Sequence, residues 1–396
     1  MWRLGFFFHE MAFGLLSIFI PLYVVRTLGG SLVELGIMVS AALLFSIPAS
    51  FFWGYICDKT RRYKVYILLS FASATIIIYL FTLTTSIVLL IILYVAMAML
   101  HVAHESPKNV LIAEHYSRNE WERSFASYQR LTEVGWLIGL LLGAIAATLS
   151  LSTRYTLLLC SGLNFTAFAL SIVLIADPII IFERRLVGIE KKIDYASHGL
   201  IVASQILEGY SPRYKLQKES FLAFSLALVF FSLASNVFLT PLPIFFAQKL
   251  ALPTSLIYII YMLNSGGAIV GYSFIRRRST FTDSKTQIRR IVLLRGALIF
   301  LLVAAIEIAF ATTFSAALFM VLFNFAYAVY YILTISLSME LIPEGKVGIF
   351  DVLVGLGAAS GSFLGPFLAQ MLGFLPQFLI ASAIFFLAFA ILKIFT

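Results

Sequence analysis

Three groups of ionisable residues stand inside otherwise apolar runs of this chain. The first run carries His9 and Glu10; a later one carries His101, His104, Glu105 and Lys108; the next carries Arg130 and Glu133. The middle group is spaced i, i+3, i+4, i+7, which places all four on one face of a helix. Ionisable groups in a membrane are costly, and they face cavities, pair with one another, or mark ion pathways and proton relays. Two chemistries therefore compete for these residues. As a proton-coupling cluster, Glu10 and Glu133 are the main carriers, with His101, His104, Glu105 and Arg130 beside them; carboxylates and imidazoles take up or release protons as their surroundings change. As a structural network, Glu105 neutralises Lys108, Arg130 neutralises Glu133, and the run carrying Glu105 is pinned to the run carrying Arg130. His9, about 100° around the helix from Glu10, is expected to reach the interface. Two histidines and a carboxylate at i, i+3, i+4 can share a divalent ion. However, the spacing matches no metalloprotease pattern, and five histidines are too few for a histidine-rich oxygenase. No resident metal, cofactor or catalytic residue is expected; metal ions as cargo remain open.

The elements that hold these groups are set by composition. Of the 396 residues 61% are hydrophobic and 12% charged, where soluble domains are about half apolar and a quarter charged. That implies an all-α polytopic membrane protein. The net charge of +9 does not suggest nucleic acid, because the basic residues sit in turns between apolar runs rather than along one polar face. Cys57 and Cys160 lie at or within apolar runs and give no disulfide framework. The first run continues past Pro21 with no cleavage site, so it reads as a retained span. Asn164-Phe-Thr matches a glycosylation triplet but falls mid-span, and is set aside.

A span needs roughly 20 apolar residues. Twelve runs qualify: 4–25, 32–56, 65–85, 87–113, 121–149, 154–176, 220–248, 254–275, 288–311, 313–341, 347–373 and 375–395. Placing both termini in the cytoplasm puts 23 lysines and arginines inside and only Arg26, Arg154 and Lys249 outside, as the positive-inside rule requires. Glu10, His101 and Glu133 then lie about 10, 20 and 15 Å from the cytoplasmic ends of their helices, in overlapping layers. The organisation is a six-helix bundle over 1–180, a cytoplasmic linker over 181–218 and a second bundle over 219–396. The linker mixes apolar and charged residues, so an interfacial helix and a plain tether are equally open there.

The two halves repeat. Pro21-Leu-Tyr returns as Pro243-Ile-Phe, Gly54-Tyr55 as Gly271-Tyr272, and Gly135, Gly139, Gly143 as Gly357, Gly361, Gly365. Glycines four apart share a helix face and allow close backbone approach, so each trio is a packing seam; Gly266, Gly267 and Gly271 offer a partner surface for the first. Repeated halves with a midplane site between them are a plan of secondary transporters.

With these features in place the chain resembles the major facilitator superfamily over essentially its whole length. The turn after the second span places Gly54, Asp58, Lys59 and Arg62 where that family has its signature, with Arg61 standing for a glycine and Tyr63 interrupting the basic pair. The resemblance implies that this turn latches the halves together on the cytoplasmic side in the outward-facing state. Glu114 and Arg123 match a second family feature joining helices 4 and 5. In the second half Ile275 replaces the aspartate. The family's antiporter signature ends in Gly-Pro on helix 5; here Gly365-Pro366 is on helix 11.

The expected function is a secondary active transporter that moves a small solute by alternating access and is coupled to protons. Ser232, Ser235, Asn236 and Thr240 on helix 7, and Asn324, Tyr327 and Tyr331 on helix 10, set amides and hydroxyls beside aromatic surfaces. That suits an uncharged or amphipathic solute, and Asn236, Asn324, Tyr327 and Tyr331 are the cavity candidates. Arg295 is expected to snorkel to an interface. Efflux antiport of amphipathic compounds is the alternative within transport, and an intramembrane enzyme using the His/Glu face of helix 4 the alternative outside it. The expected partners are the lipid bilayer of the cell membrane, the solute and protons, with no nucleic acid; the expected state is a monomer.

Overall fold

The computed structural model describes residues 2–115, 121–177, 221–277, 284–308, 312–341 and 348–395. The 181–218 linker, and with it the choice between an interfacial helix and a tether, lies outside them. Among the described residues fourteen α-helices follow one another: α1 (Leu4–Leu22), α2 (Leu32–Thr60), α3 (Tyr63–Phe81), α4 (Ile87–His101), α5 (Glu105–His115), α6 (Trp121–Thr148) and α7 (Thr153–Leu174) in the first half. The second half has α8 (Phe221–Leu239), α9 (Leu242–Gln248), α10 (Thr254–Arg277), α11 (Ser284–Glu307), α12 (Thr312–Leu341), α13 (Gly348–Leu372) and α14 (Phe374–Phe395). Because α4–α5 and α8–α9 each continue one path, these make twelve spans. Among the described residues eleven are, by length and composition, long and apolar enough to cross a membrane. The remaining one, α11, carries Arg289, Arg290 and Arg295 but packs between α12 and α14 as the fold requires.

Local chemistry places the breaks. Gly29 at φ 70° turns the chain after α1, and Ser31 and Glu34 then form a reciprocal capping box that starts α2, satisfying two otherwise orphaned backbone donors. Arg61 ends α2 in the left-handed conformation. The fourth span is interrupted by a 3-10 turn over Val102–His104. Pro107 lies four residues after Ala103, so it cannot donate to that carbonyl and its ring crowds it. The continuous helix expected over 87–113 is therefore broken at the two histidines.

Contacts within the halves match element for element. In the first, α1 packs on α6 and α7, α3 on α7 and α4, and α2 on α4; in the second, α8 packs on α13 and α14, α11 on α14 and α12, and α10 on α12. The glycine trios make this repeat visible in atoms. A Cβ on Gly135 or Gly139 would strike the carbonyls of Phe7 and Met11, and one on Gly357 or Gly361 those of Val229 and Leu233. One shift along the chain relates all four contacts. The partner of Gly135 and Gly139 is thus α1, while Gly143 meets the Tyr258 ring of α10; the glycines of α10 face elsewhere, Gly267 and Gly271 towards Val321, Phe325 and Ala328 of α12. The second seam is internal to its half, and the first is so except at Gly143, which faces Tyr258 of the other half; van der Waals contact is the main force between helices in lipid.

Across the halves, α2 lies on α13 and α6 on α10. The outward surface is apolar, with Phe45, Phe51, Ile76, Val88, Ile92, Val173, Phe300 and Leu301 exposed, as a lipid-facing belt must be.

Candidate functional site

The first half is built around His9, which is completely buried. Its Nδ1 lies 2.6 Å from Asn164 Oδ1 on α7, and its Nε2 lies 3.1 Å from His101 Nδ1 at the end of α4. Asn164 donates its amide Nδ2 to the Cys160 carbonyl at 3.2 Å, which leaves Oδ1 as the group facing His9. The Nδ1 of His9 is then the donor and its Nε2 the acceptor. The rings of His9 and His101 stack at 5.0 Å, between Phe13 and Phe71. His104, also buried, places Nδ1 3.1 Å from Ser70 Oγ; Ser70 donates its own proton to the His101 carbonyl at 2.9 Å. The other nitrogen of His104 lies 3.2 Å from Glu105 Oε1, and Glu105 is ion-paired with Lys108. The 3-10 turn brings this about: by tightening the chain between His101 and Glu105 it sets the two imidazoles edge to face, 4.7 Å apart.

His9 is therefore not at an interface, contrary to the sequence expectation. Its helix face meets α4 and α7, whereas Glu10, one residue on, meets the Gly135 face of α6. The glycosylation-like Asn164 has a structural role as the partner of His9. Neither link is visible to one-helix periodicity, because both partners come from other helices.

The carboxylates of Glu10, Glu105 and Glu133, together with Lys108, lie close enough to share one electrostatic neighbourhood. Glu133 does not pair with Arg130. Its Oε2 accepts a hydrogen bond from Ser265 Oγ of α10 at 3.0 Å, which crosses from one half to the other, while Arg130 is exposed. Among the described residues Glu105 pairs with Lys108, and His104 Nε2 lies 3.2 Å from the other Glu105 oxygen. The pairing inferred from i, i+3 spacing fails because the carboxylate finds a hydroxyl on a facing helix and the long guanidinium stem extends outward.

In the second half the expected cavity residues divide. Asn236 donates to the Ser232 carbonyl of its own helix at 2.9 Å and accepts from Ser362 at 3.4 Å, and Asn324 donates to the Asn264 carbonyl at 3.0 Å. These amides tie α8 to α13 and α12 to α10. Tyr327 stacks on Tyr331 at 6.0 Å, and Phe231 on Tyr330 at 3.5 Å. Behind this wall lies Arg295, only 1% exposed. Its Cζ sits 3.7 Å from the Phe323 ring, 4.8 Å from Phe231, 5.2 Å from Phe385 and 5.3 Å from Tyr327. The Nε and Nη1 atoms have no hydrogen-bond partner. It does not snorkel: four ring faces give it a partly compensating environment inside the bundle.

The two ends of the molecule differ. At the end bearing Arg26, the halves are joined. Tyr258 donates to the Leu15 carbonyl at 2.9 Å, Arg26 to Thr254 Oγ1 and the Ala247 carbonyl, and the Val33 amide to Gln370. At the opposite end Asp58, Lys59, Arg61 and Arg62 are exposed, and a Cβ on Gly54 would meet nothing within 4 Å. Glu114 and Arg123 lie in α5 and α6, with their side chains outside the described residues.

A family model described as Major Facilitator Superfamily matches residues 4–350, and the chain belongs to that superfamily. It is a multi-pass membrane transporter of small molecules, not an enzyme. The fold is shared with the nucleoside transporter NupG at TM-score 0.70 and 14% identity, covering 100% of this chain and 98% of that one. A POT family transporter in complex with 5-aminolevulinic acid aligns at TM-score 0.74 and 12% identity, covering 100% and 95%. The human organic anion transporter MFSD10 aligns at TM-score 0.65 and 15% identity, covering 99% and 97%. No curated protein sequence matches the chain.

Proposed function

We propose that this protein is a proton-coupled secondary active transporter working by alternating access, with both termini in the cytoplasm. The observation that carries the coupling is the Glu133–Ser265 hydrogen bond between the halves. A carboxylate at a moving boundary accepts that bond best when ionised and loses part of it when protonated. Its proton thus becomes a switch on the contact between α6 and α10. Tyr272 and Tyr327 lie within electrostatic reach of the same carboxylate, which connects it to the aromatic wall where the solute would rest.

The asymmetry of the two ends supports a cytoplasm-open state: contacts close the Arg26 end, and the Gly54–Arg62 turn stands exposed. Asp58 and Arg62 would engage the other half when the molecule turns outward. Nucleosides, 5-aminolevulinic acid and organic anions, taken from the structural neighbours, form the first solute panel, because a ligand of the folded form raises its melting temperature. The test is uptake into proteoliposomes of whichever solute raises it. Glu133→Gln should abolish accumulation driven by a pH gradient while counterflow persists; accumulation that is unchanged in rate and pH dependence would refute the coupling role.

A further inference from the structure

We propose that His9, His101 and His104 form a resident binding site for one divalent transition-metal ion of the zinc class. One ring nitrogen from each of the three lies within 4.8 Å of the others. An ion held by imidazoles at about 2.0–2.1 Å in a tetrahedral arrangement sets its ligand nitrogens about 3.3 Å apart. The His9–His101 pair already stands at 3.1 Å. Binding would draw the remaining nitrogens from within 4.8 Å to about that spacing.

The outer groups are those that orient ligating histidines, which commonly give their second N–H to an oxygen acceptor. His9 gives Nδ1–H to Asn164 Oδ1, and that amide is itself fixed by the Cys160 carbonyl. His104 places Nδ1 on Ser70 Oγ, whose proton is committed to the His101 carbonyl. Both hydrogen bonds leave Nε2 as the ligating atom. The Nε2 of His104 faces the Glu105 carboxylate at 3.2 Å, so Glu105 can supply the fourth, anionic ligand and offset the ion's charge. His101 is partly exposed and Glu105 has 46% of its side chain accessible, which gives an entry path to an otherwise buried site. All four residues belong to the first half. The ion would pin α1 to the fourth span without entering the boundary between halves, so it is resident rather than cargo. The site stands independently of coupling through Glu133.

The test uses the full chain purified without a histidine tag, stripped with chelator and then equilibrated with Zn²⁺ or Co²⁺. Elemental analysis should find one ion per chain, Co²⁺ should show the visible absorption of a tetrahedral site, and Zn²⁺ should raise the melting temperature. Asn164→Ala should weaken binding about 10- to 100-fold. His101→Asn, at the partly exposed position, should remove the cobalt spectrum while the protein remains monodisperse. Glu133→Gln should bind the ion like the wild type even if it loses coupling. Less than a tenth of an ion per chain at 100-fold excess over protein, or a His9→Asn/His101→Asn double variant that binds like wild type, would overturn the proposal. In that outcome the three rings are a hydrogen-bonded core and nothing more.

Discussion

Arg295 is a cation enclosed by four aromatic rings, with two nitrogens that donate to nothing. Such a group is held by ring faces and packing, and its desolvation offsets much of that gain. Arg295→Met, which keeps an apolar stem of similar reach, should leave the melting temperature unchanged or raise it. Arg295→Ala opens a cavity and should cost about 2–5 kcal/mol, read as a lower thermal midpoint in detergent. A large loss in the methionine variant would show that the guanidinium has a partner the rings do not supply. The sequence marked Arg295 as intramembrane yet not its direction, since a lone arginine near a helix end is equally consistent with snorkelling. His9 was misplaced for the related reason that its partners, Asn164 and His101, are distant in sequence. What was legible at this scale was the set His101, His104, Glu105 and Lys108, because the four lie close in sequence; the 3-10 turn that sets the two imidazoles edge to face was not.

Elements of the fold were legible wherever one helix sufficed to reveal them. Spans, their breaks at Gly29 and Ser31, and the glycine trios all follow from local patterns. The seam partners were not, because the small residues of α10 were as attractive as the backbone of α1; only the packing separates them. Gly139 and Gly361 occupy equivalent places, each against a backbone carbonyl, so Gly139→Leu and Gly361→Leu should be equally disruptive. Overpacking of a tight contact costs about 1–3 kcal/mol or more, and each variant should show a lowered melting temperature and poor monodispersity. Gly266→Leu, where a Cβ meets nothing within 4 Å, should not. The 3-10 turn offers a second check. Pro107→Ala restores the donor to the Ala103 carbonyl and should let the fourth span run as a continuous helix, moving His104 away from Ser70. Cobalt absorption would then weaken even though no ligand has changed.

On the scale of the whole molecule, two copies of one helix arrangement meet along α2–α13 and α6–α10, joined at one end and exposed at the other. The family turn was readable from Gly54, Asp58, Lys59 and Arg62, but the conformation was not, because a sequence encodes all states of an alternating machine at once. Since Asp58 is exposed, Asp58→Asn should shift stability by no more than about 0.5 kcal/mol, whereas a latch role requires transport to fall at least tenfold. Equal transport by wild type and variant would remove the latch. The proposed coupling rests on Glu133, the carboxylate that bonds across the boundary. It is tested most directly by comparing gradient-driven accumulation with counterflow in proteoliposomes holding the wild type or Glu133→Gln. Accumulation should be lost and counterflow kept in the variant; accumulation retained with the wild-type pH profile would rule Glu133 out as the coupling carboxylate.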